Sequence, residues 1–351
     1  MLVRTHRPGT TGDTNVRRLT ALAGLVLPLA GALVLSGCSP SGKPSDDLQV
    51  VANPVAAQAA VSPAVTVKPA GQVLDTAEVS ALATDAATRS LVVALEQPPS
   101  LVVYDLDKLG APRATVPLPG PTDRLTVSGD QVLAAVPGKG VLARLSLKDD
   151  KLSTTDVGGQ PAAGVVSGAG TLVAMGDRKT VEVLGSGAPR VLTGQLYSAD
   201  DVLDTGSGVV VLDRLRTAVF RVDLAGGKIE EGLRAGDGAA NAVTDSFGRV
   251  LVTDARAGAL IAFSADPLLM RQRYPVPGGA YGIAYDHTRN LAWVTLTGRN
   301  EVVGFDVRGG EPVEKYRFPT VRQPDAVAVD DQSGRVIVGS AAGEGTQVIQ
   351  P

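Results

Sequence analysis

An all-β fold, a seven-bladed β-propeller, is what this sequence predicts, on two observations. An apolar run followed by a polar turn recurs seven times, and helical stripes at 3.6-residue spacing are missing outside the N-terminal segment. The runs are Leu91-Val92-Val93, Val132-Leu133-Ala134, Leu172-Val173-Ala174, Val209-Val210-Val211, Val250-Leu251-Val252, Trp293-Val294 and Val336-Ile337-Val338. With Val93, Ala134, Ala174, Val211, Val252, Val294 and Val338 taken as equivalent, the spacings are 41, 40, 37, 41, 42 and 44 residues. A period near 40–45 residues with four short strands per unit marks a propeller blade.

The fifth unit shows the pattern in full. Ala242-Val243-Thr244 leads to a turn at Asp245-Ser246-Phe247-Gly248, and Arg249 to Thr253 forms a second strand. Ala259 to Phe263 is the third, and a fourth lies around Gln272 to Val276. β-Branched runs bounded by Gly and Asp carry this reading. The sixth unit repeats it as Ile283–Tyr285, Leu291–Leu296, Glu301–Val307 and Val313–Phe318. The seventh has three strands, at Ala326–Val329, Arg335–Val338 and Thr346–Ile349. The segment Ala64-Val65-Thr66-Val67-Lys68 is expected to supply its missing outer strand and remove an open edge.

The ends of the chain carry a second message. Arg17-Arg18 precede an apolar stretch, Leu19 to Leu35, which closes in Leu35-Ser36-Gly37-Cys38. A basic region, an apolar region and small residues before a cleavage point make a secretory signal. The apolar stretch is short for a membrane span, which needs about 20 residues. The ending resembles a bacterial lipobox, and Cys38 is the one cysteine of the 351-residue sequence. The resemblance implies removal of 1–37, a lipid on Cys38 and attachment to the extracytoplasmic face of the cell membrane. The export route and acylation of the new amino terminus stay open. The polar stretch Met1 to Asn15 is long for such a signal, and a start at Val16, read from a GTG codon, is expected. Residues 38–63 read as lipidated cysteine and flexible linker, with Ser39-Pro40-Ser41-Gly42 polar and Ala56 to Ala60 low in complexity. The propeller then occupies 64–351.

Formal charge is −3. Removing the four arginines and one aspartate of 1–37 leaves 29 basic against 35 acidic residues, or −6. A nucleic-acid binder would show a basic footprint instead. With no cysteine beyond the anchor, the mature chain forms no internal disulfide and relies on its core.

The units resemble bacterial YVTN and NHL-type propeller repeats. Leu291-Ala292-Trp293-Val294-Thr295 with Asn300-Glu301-Val302-Val303-Gly304-Phe305-Asp306 carries the first likeness. Val243-Thr244-Asp245 with Gly248 to Asp254 is similar to the NHL and gluconolactonase-like pattern. Tyr104-Asp105-Leu106, Val222-Asp223-Leu224 and Phe305-Asp306-Val307 repeat a strand-plus-aspartate ending. With the lipobox, the whole chain looks like a propeller lipoprotein of high-GC Gram-positive bacteria.

Chemistry is sparse. The mature chain has one histidine, His287, in a turn, so a histidine-based zinc or copper site is excluded. One tryptophan, Trp293, argues against quinone-cofactor dehydrogenases built on propellers. Asp200, Asp201, Asn241 and Asp325 lie near strand starts on one rim. They are either turn and strand caps or, as the gluconolactonase-like resemblance implies, oxygen ligands for calcium. Lys139, Arg178, Lys179, Arg214, Arg216, Arg256 and Arg299 recur three to five residues past the anchor in five consecutive units. They predict a partial basic ring that could hold an anion or an acidic partner surface. The leading expectation is a cofactor-free binding or scaffold module of the envelope, with an envelope protein, glycan or anionic ligand as partner. The alternative is a divalent-cation-dependent, lactonase-like hydrolase.

Overall fold

The computed structural model describes residues 52–351, within the compact unit Asp46–Pro351. The expected leader, Cys38 and residues 39–51 of the expected linker lie outside the described residues.

The described chain is a β-propeller of antiparallel meanders. Strand β1 (Gln72–Leu74) comes first. Then follow β2–β5 (Val79–Asp85, Ser90–Leu95, Ser100–Asp105, Ala114–Pro117) and β6–β9 (Leu125–Ser128, Gln131–Val136, Val141–Ser146, Leu152–Asp156). Next are β10–β13 (Pro161–Ser167, Gly170–Met175, Thr180–Leu184, Arg190–Thr193) and β14–β17 (Asp201–Asp204, Val209–Asp213, Ala218–Asp223, Lys228–Arg234). After them come β18–β21 (Ala239–Thr244, Arg249–Asp254, Ala259–Ala265, Leu268–Pro275) and β22–β25 (Ala280–Asp286, Leu291–Leu296, Glu301–Asp306, Val313–Pro319). The last three are β26–β28 (Pro324–Val329, Val336–Ser340, Thr346–Ile349). Among the described residues these make five four-stranded sheets and one eight-stranded sheet. The eight-stranded sheet is two meanders, β10–β13 and β14–β17, joined through one parallel pair, Thr193 with Lys228.

The sequence repeat is the repeat of the second strand. Val93, Ala134, Ala174, Val211, Val252, Val294 and Val338 all lie in second strands and are all 0 % exposed. Both faces of a second strand are covered by neighbouring sheets, which is why its apolar run is continuous rather than alternating. The core is divided accordingly. One cluster joins β2–β5 to β6–β9 through Val92, Leu101, Val132 and Leu145. Another joins the last sheet to the first through Leu74, Leu82, Leu91, Ala328 and Ile337. First strands of neighbouring units pack side by side around the axis, from β2 through β6, β10, β14, β18, β22 and β26 back to β2.

Closure differs from expectation in one detail. Residues 64–68 form no strand, and the last sheet is completed by β1, with Gln72 opposite Val348 and Leu74 opposite Thr346. The physical reason is burial. Val65, Val67 and Lys68 are exposed, whereas Leu74 points into the seam between last and first sheets. Gly71 (φ +69°) makes the approach possible, since a Cβ there would sit 2.1 Å from the Val348 carbonyl oxygen. The buried Gln347 side chain finishes the seam. Its Nε2 donates to Ala70 O (2.7 Å) and Pro319 O (3.0 Å), and its Oε1 accepts from Val321 N (3.0 Å).

Residues 55–63 also differ from expectation. Instead of a free linker they form a strap along one rim, with Ala57 and Ser62 buried. The strap is ordered by hydrogen bonds to its main chain, so its low-complexity composition gave no sign of it.

Candidate functional site: the strap-side rim and channel mouth

Turns between second and third strands share one rim with the connections that lead into each first strand. Carboxylates at the turns stitch the two together. Asp177 accepts from Gln160 N (2.9 Å), Asp213 from Tyr197 N (2.6 Å) and Asp254 from Gly238 N (2.9 Å). Asp213 and Asp254 are fully buried. Burial pushes the Asp213 carboxyl above its ordinary range, although donated backbone hydrogen bonds oppose the shift.

All seven cations expected to form a ring lie at these turns, but most are engaged by the protein itself. Arg178 pairs with Glu182 (2.7 Å). Arg216 is buried, stacks on Tyr197 and Phe220 at 4.9 and 5.3 Å, and donates to Gln195 O. Arg214 Nη2 donates to Ala57 O (2.7 Å), and Arg256 donates to Val55 O and to Asp237 O (3.0 Å). Lys139, Lys179 and Arg299 are exposed. Exposed Asp123, Asp177, Asp237 and Glu344 stand on the same rim, so its charge is mixed rather than basic.

The strap crosses this rim. Its remaining contacts are to Thr297, Asn300 and Gln323, with Ser62 Oγ donating to Thr297 O (2.6 Å) and Asn300 Nδ2 donating to Pro63 O (2.9 Å). Gln58 reaches the mouth of the central channel.

The channel has a volume of about 940 Å³ and is lined by every first strand. A β-bulge recurs where first strands begin, between Val79 and Ala81, Pro161 and Ala163, Ala239 and Ala242, Ala280 and Ile283, and Pro324 and Ala326. A bulge re-aims a side chain, and bulge residues Ser80, Ala162, Asn241, Tyr281 and Asp325 all line the channel.

Asp200, Asp201, Asn241 and Asp325 all line this one cavity. Each is held separately. Asp201 is 4 % exposed and pairs with Arg124 at 2.6 Å. Burial pushes its carboxyl up, and the Arg124 charge opposes this. Asp200 accepts from Ser198 Oγ and Arg214 N. Asn241 Nδ2 donates to Tyr281 O (3.1 Å). Asp325 accepts from Gln323 Nε2 (2.9 Å), and burial pushes its carboxyl up to about 6. Glu96, another lining residue, is pushed up by burial and by the negative charges of Asp123 and Glu78. Among the described residues no group of three or more His, Cys, Asp or Glu is placed to hold a metal ion.

Sequence reasoning missed Arg124, Gln323, Thr297 and the strap itself. None of them sits at a repeating offset, and repetition was the only signal available. His287 lies in a turn on the opposite rim, exposed, with Nδ1 3.4 Å from Ser246 Oγ and its backbone N–H donating to Asp331 Oδ1 (2.8 Å).

No protein-family profile and no curated protein matches this chain. The fold has many solved counterparts. Kuenenia stuttgartiensis hydrazine synthase is 13% identical with a TM-score of 0.66, over 82% of this chain and 99% of that one. A streptogramin B lyase is 11% identical with a TM-score of 0.66, over 80% and 96%. The β-propeller domain of Myceliophteria thermophila Cps50 (Swd1) is 11% identical with a TM-score of 0.67, over 80% and 99%. The chain is a β-propeller. Neighbours so varied at such identity share the fold and carry no activity to it.

Proposed function

We propose that this chain is a lipoprotein held by Cys38 to the extracytoplasmic face of the membrane, whose propeller is a binding module of the cell envelope. The lipobox supports the anchor. We read the ring as seven-bladed, counting the eight-stranded sheet as two blades because a single parallel residue pair joins its halves. The ligand site is the strap-side mouth of the channel.

The observation that carries this reading is convergence. Acceptors on Glu78, Glu96, Asp123, Asp200 and Asp325 and donors on Arg124, Arg214 and Gln160 come from several units to one cavity. Concave sites with a few convergent polar groups are the usual place for ligands. Carboxylates outnumber guanidinium groups there, which favours a hydroxyl- or amine-rich ligand over an anion. Of the envelope partners considered, a glycan fits this chemistry. Asp200, Asp201, Asn241 and Asp325 are each engaged by a different partner, which speaks against their acting together as the calcium ligands of a hydrolase.

Thermal shift on the chain from Ser39, with envelope glycan fragments, inorganic phosphate and calcium as arms, tests the site. A rise with a glycan fragment that is lost in Asp200→Asn or Glu96→Gln is expected. A rise with calcium alone, or one indifferent to these substitutions, overturns it. The anchor is tested separately by Cys38→Ala, which should release the protein from membranes.

A further inference from the structure

The strap is recognised almost entirely through its main chain. Arg256 and Arg214 donate to the carbonyls of Val55 and Ala57. Thr297 Oγ1 accepts from Ala60 N (3.1 Å), and Gln323 Nε2 donates to Ala60 O (2.9 Å). Gln323 Oε1 accepts from Ser62 N (3.1 Å), and Gln323 N donates to Ser62 Oγ (2.9 Å). Gln323 holds φ at +52°, a left-handed conformation uncommon for a residue with a side chain. Such outliers gather at ligand clamps.

Side chains are read at three positions. Ala57 is 1 % exposed, and its methyl carbon lies 3.0 Å from where a Cβ on Gly238 would stand. The Ala60 methyl carbon lies 2.9 Å from the corresponding point on Gly279. A glycine floor therefore receives both methyl groups, with Ala57 enclosed and Ala60 half-buried. Ser62 supplies the one recognised hydroxyl. Val55 and Val61, by contrast, are 66% and 90% exposed. The rim reads Ala-x-x-Ala-x-Ser in an extended chain.

Closing the ring does not require this groove, because β1 already completes the last sheet further along the chain. We propose that the groove over Arg214, Arg256, Thr297, Asn300 and Gln323 is a peptide-binding site. The chain fills it in cis with residues 55–63. An extended segment of a partner protein with the same small-residue and serine spacing takes it when the strap is displaced. The groove runs along the rim and shares only Arg214 with the channel mouth, and its occupant, an extended peptide, goes beyond the ligand proposed above.

A tethered segment competes at an effective concentration on the order of millimolar, so a free peptide binds the intact protein poorly. The test uses the full chain carrying Ala57→Leu and Ala60→Leu, and a fluorescent peptide of residues 54–63. Release of the strap is read as new elastase cleavage within 52–63. Anisotropy should show the peptide binding this variant at least about ten-fold more tightly than wild type. Adding Gln323→Ala should abolish binding, and a peptide with leucine at both alanine positions should not bind. A released strap with no peptide binding overturns the proposal. So does a strap that stays protected both in the double variant and in Gln323→Ala with Asn300→Ala. A glycan response in thermal shift without peptide binding would sink this groove and leave the channel reading standing.

Discussion

Arg89, in the first sheet, clasps Asp330, in the last, with Nη1 2.8 and 2.9 Å from the two carboxylate oxygens. Asp330 is fully buried, and the same guanidinium reaches Asp107 at 2.9 Å. Together with Arg335 donating to Leu106 O, this pair locks the rim opposite the strap at the seam where the ring closes. Removing one partner of a buried pair leaves an uncompensated charge, so Arg89→Ala should destabilise by about 3 kcal/mol. Denaturant melts of Arg89→Ala, Asp330→Asn and the double variant check it, and the double should be milder than Arg89→Ala.

The same pair has a pH signature. Burial works against the Asp330 carboxylate, but hydrogen bonds from Arg89, Ser333 and Gln332 N outweigh it and hold the carboxyl below its ordinary range. A depressed folded value means the stabilisation is present above the unfolded value of about 3.9 and lost as pH falls through the folded one. Melts from pH 7 down to pH 2 should show an acid-side decline that is shallower in Arg89→Ala.

Asp325 behaves in the opposite sense. Its carboxyl is pushed up to about 6 by burial, so the folded state binds this proton more tightly than the unfolded chain. That contribution is complete below about pH 4 and lost as pH rises through 6. Asp325→Asn keeps the acceptor for Gln323 Nε2 and removes the charge. It should raise stability at pH 7 by about 1–2 kcal/mol and change little at pH 4. A pH-independent gain would show that something other than ionisation is involved.

Arg124 is the counter-charge for buried Asp201. Arg124→Ala should cost about 3 kcal/mol, and adding Asp201→Asn should recover part of it. Arg124→Lys should rescue incompletely, because a point charge replaces a planar fork. Thermal melts of the four proteins decide it.

Gly71→Ala should open the seam. The added methyl would meet Val348 O in a left-handed backbone conformation, a mismatch that costs more than about 1 kcal/mol. Hydrogen exchange should rise at Thr346 to Ile349 and leave β18 to β21 unchanged. Uniform exchange across the ring would refute local opening.

What the sequence made legible follows from repetition. Leu291–Leu296 was readable to the residue, because a second strand is covered on both faces and writes a nearly continuous apolar run. The closing strand was misplaced. Val65 and Val67 have β-branched side chains but no face to bury them, whereas Leu74 does. The basic residues were found at the correct turns, but not their partners. A pattern of cations shows neither that Arg214 reaches an alanine carbonyl nor that Arg216 lies under Tyr197. The strap was invisible because main-chain recognition leaves no mark on composition. Asn241 and Asp325 owe their place in the channel to bulges, which are a matter of register rather than residue type.

Gln347 and Ala70, bonded in the finished seam, are 277 positions apart in sequence. On the ribosome the early partner emerges first and waits for the late one, roughly 15–55 s at ordinary elongation rates of about 5–20 residues per second. Until the late partner is in place, β1 and β27 have no strand between them and both carry an unpaired edge. A chain without β28 would leave β1 and β27 permanently unjoined, a ready substrate for chaperones and proteases.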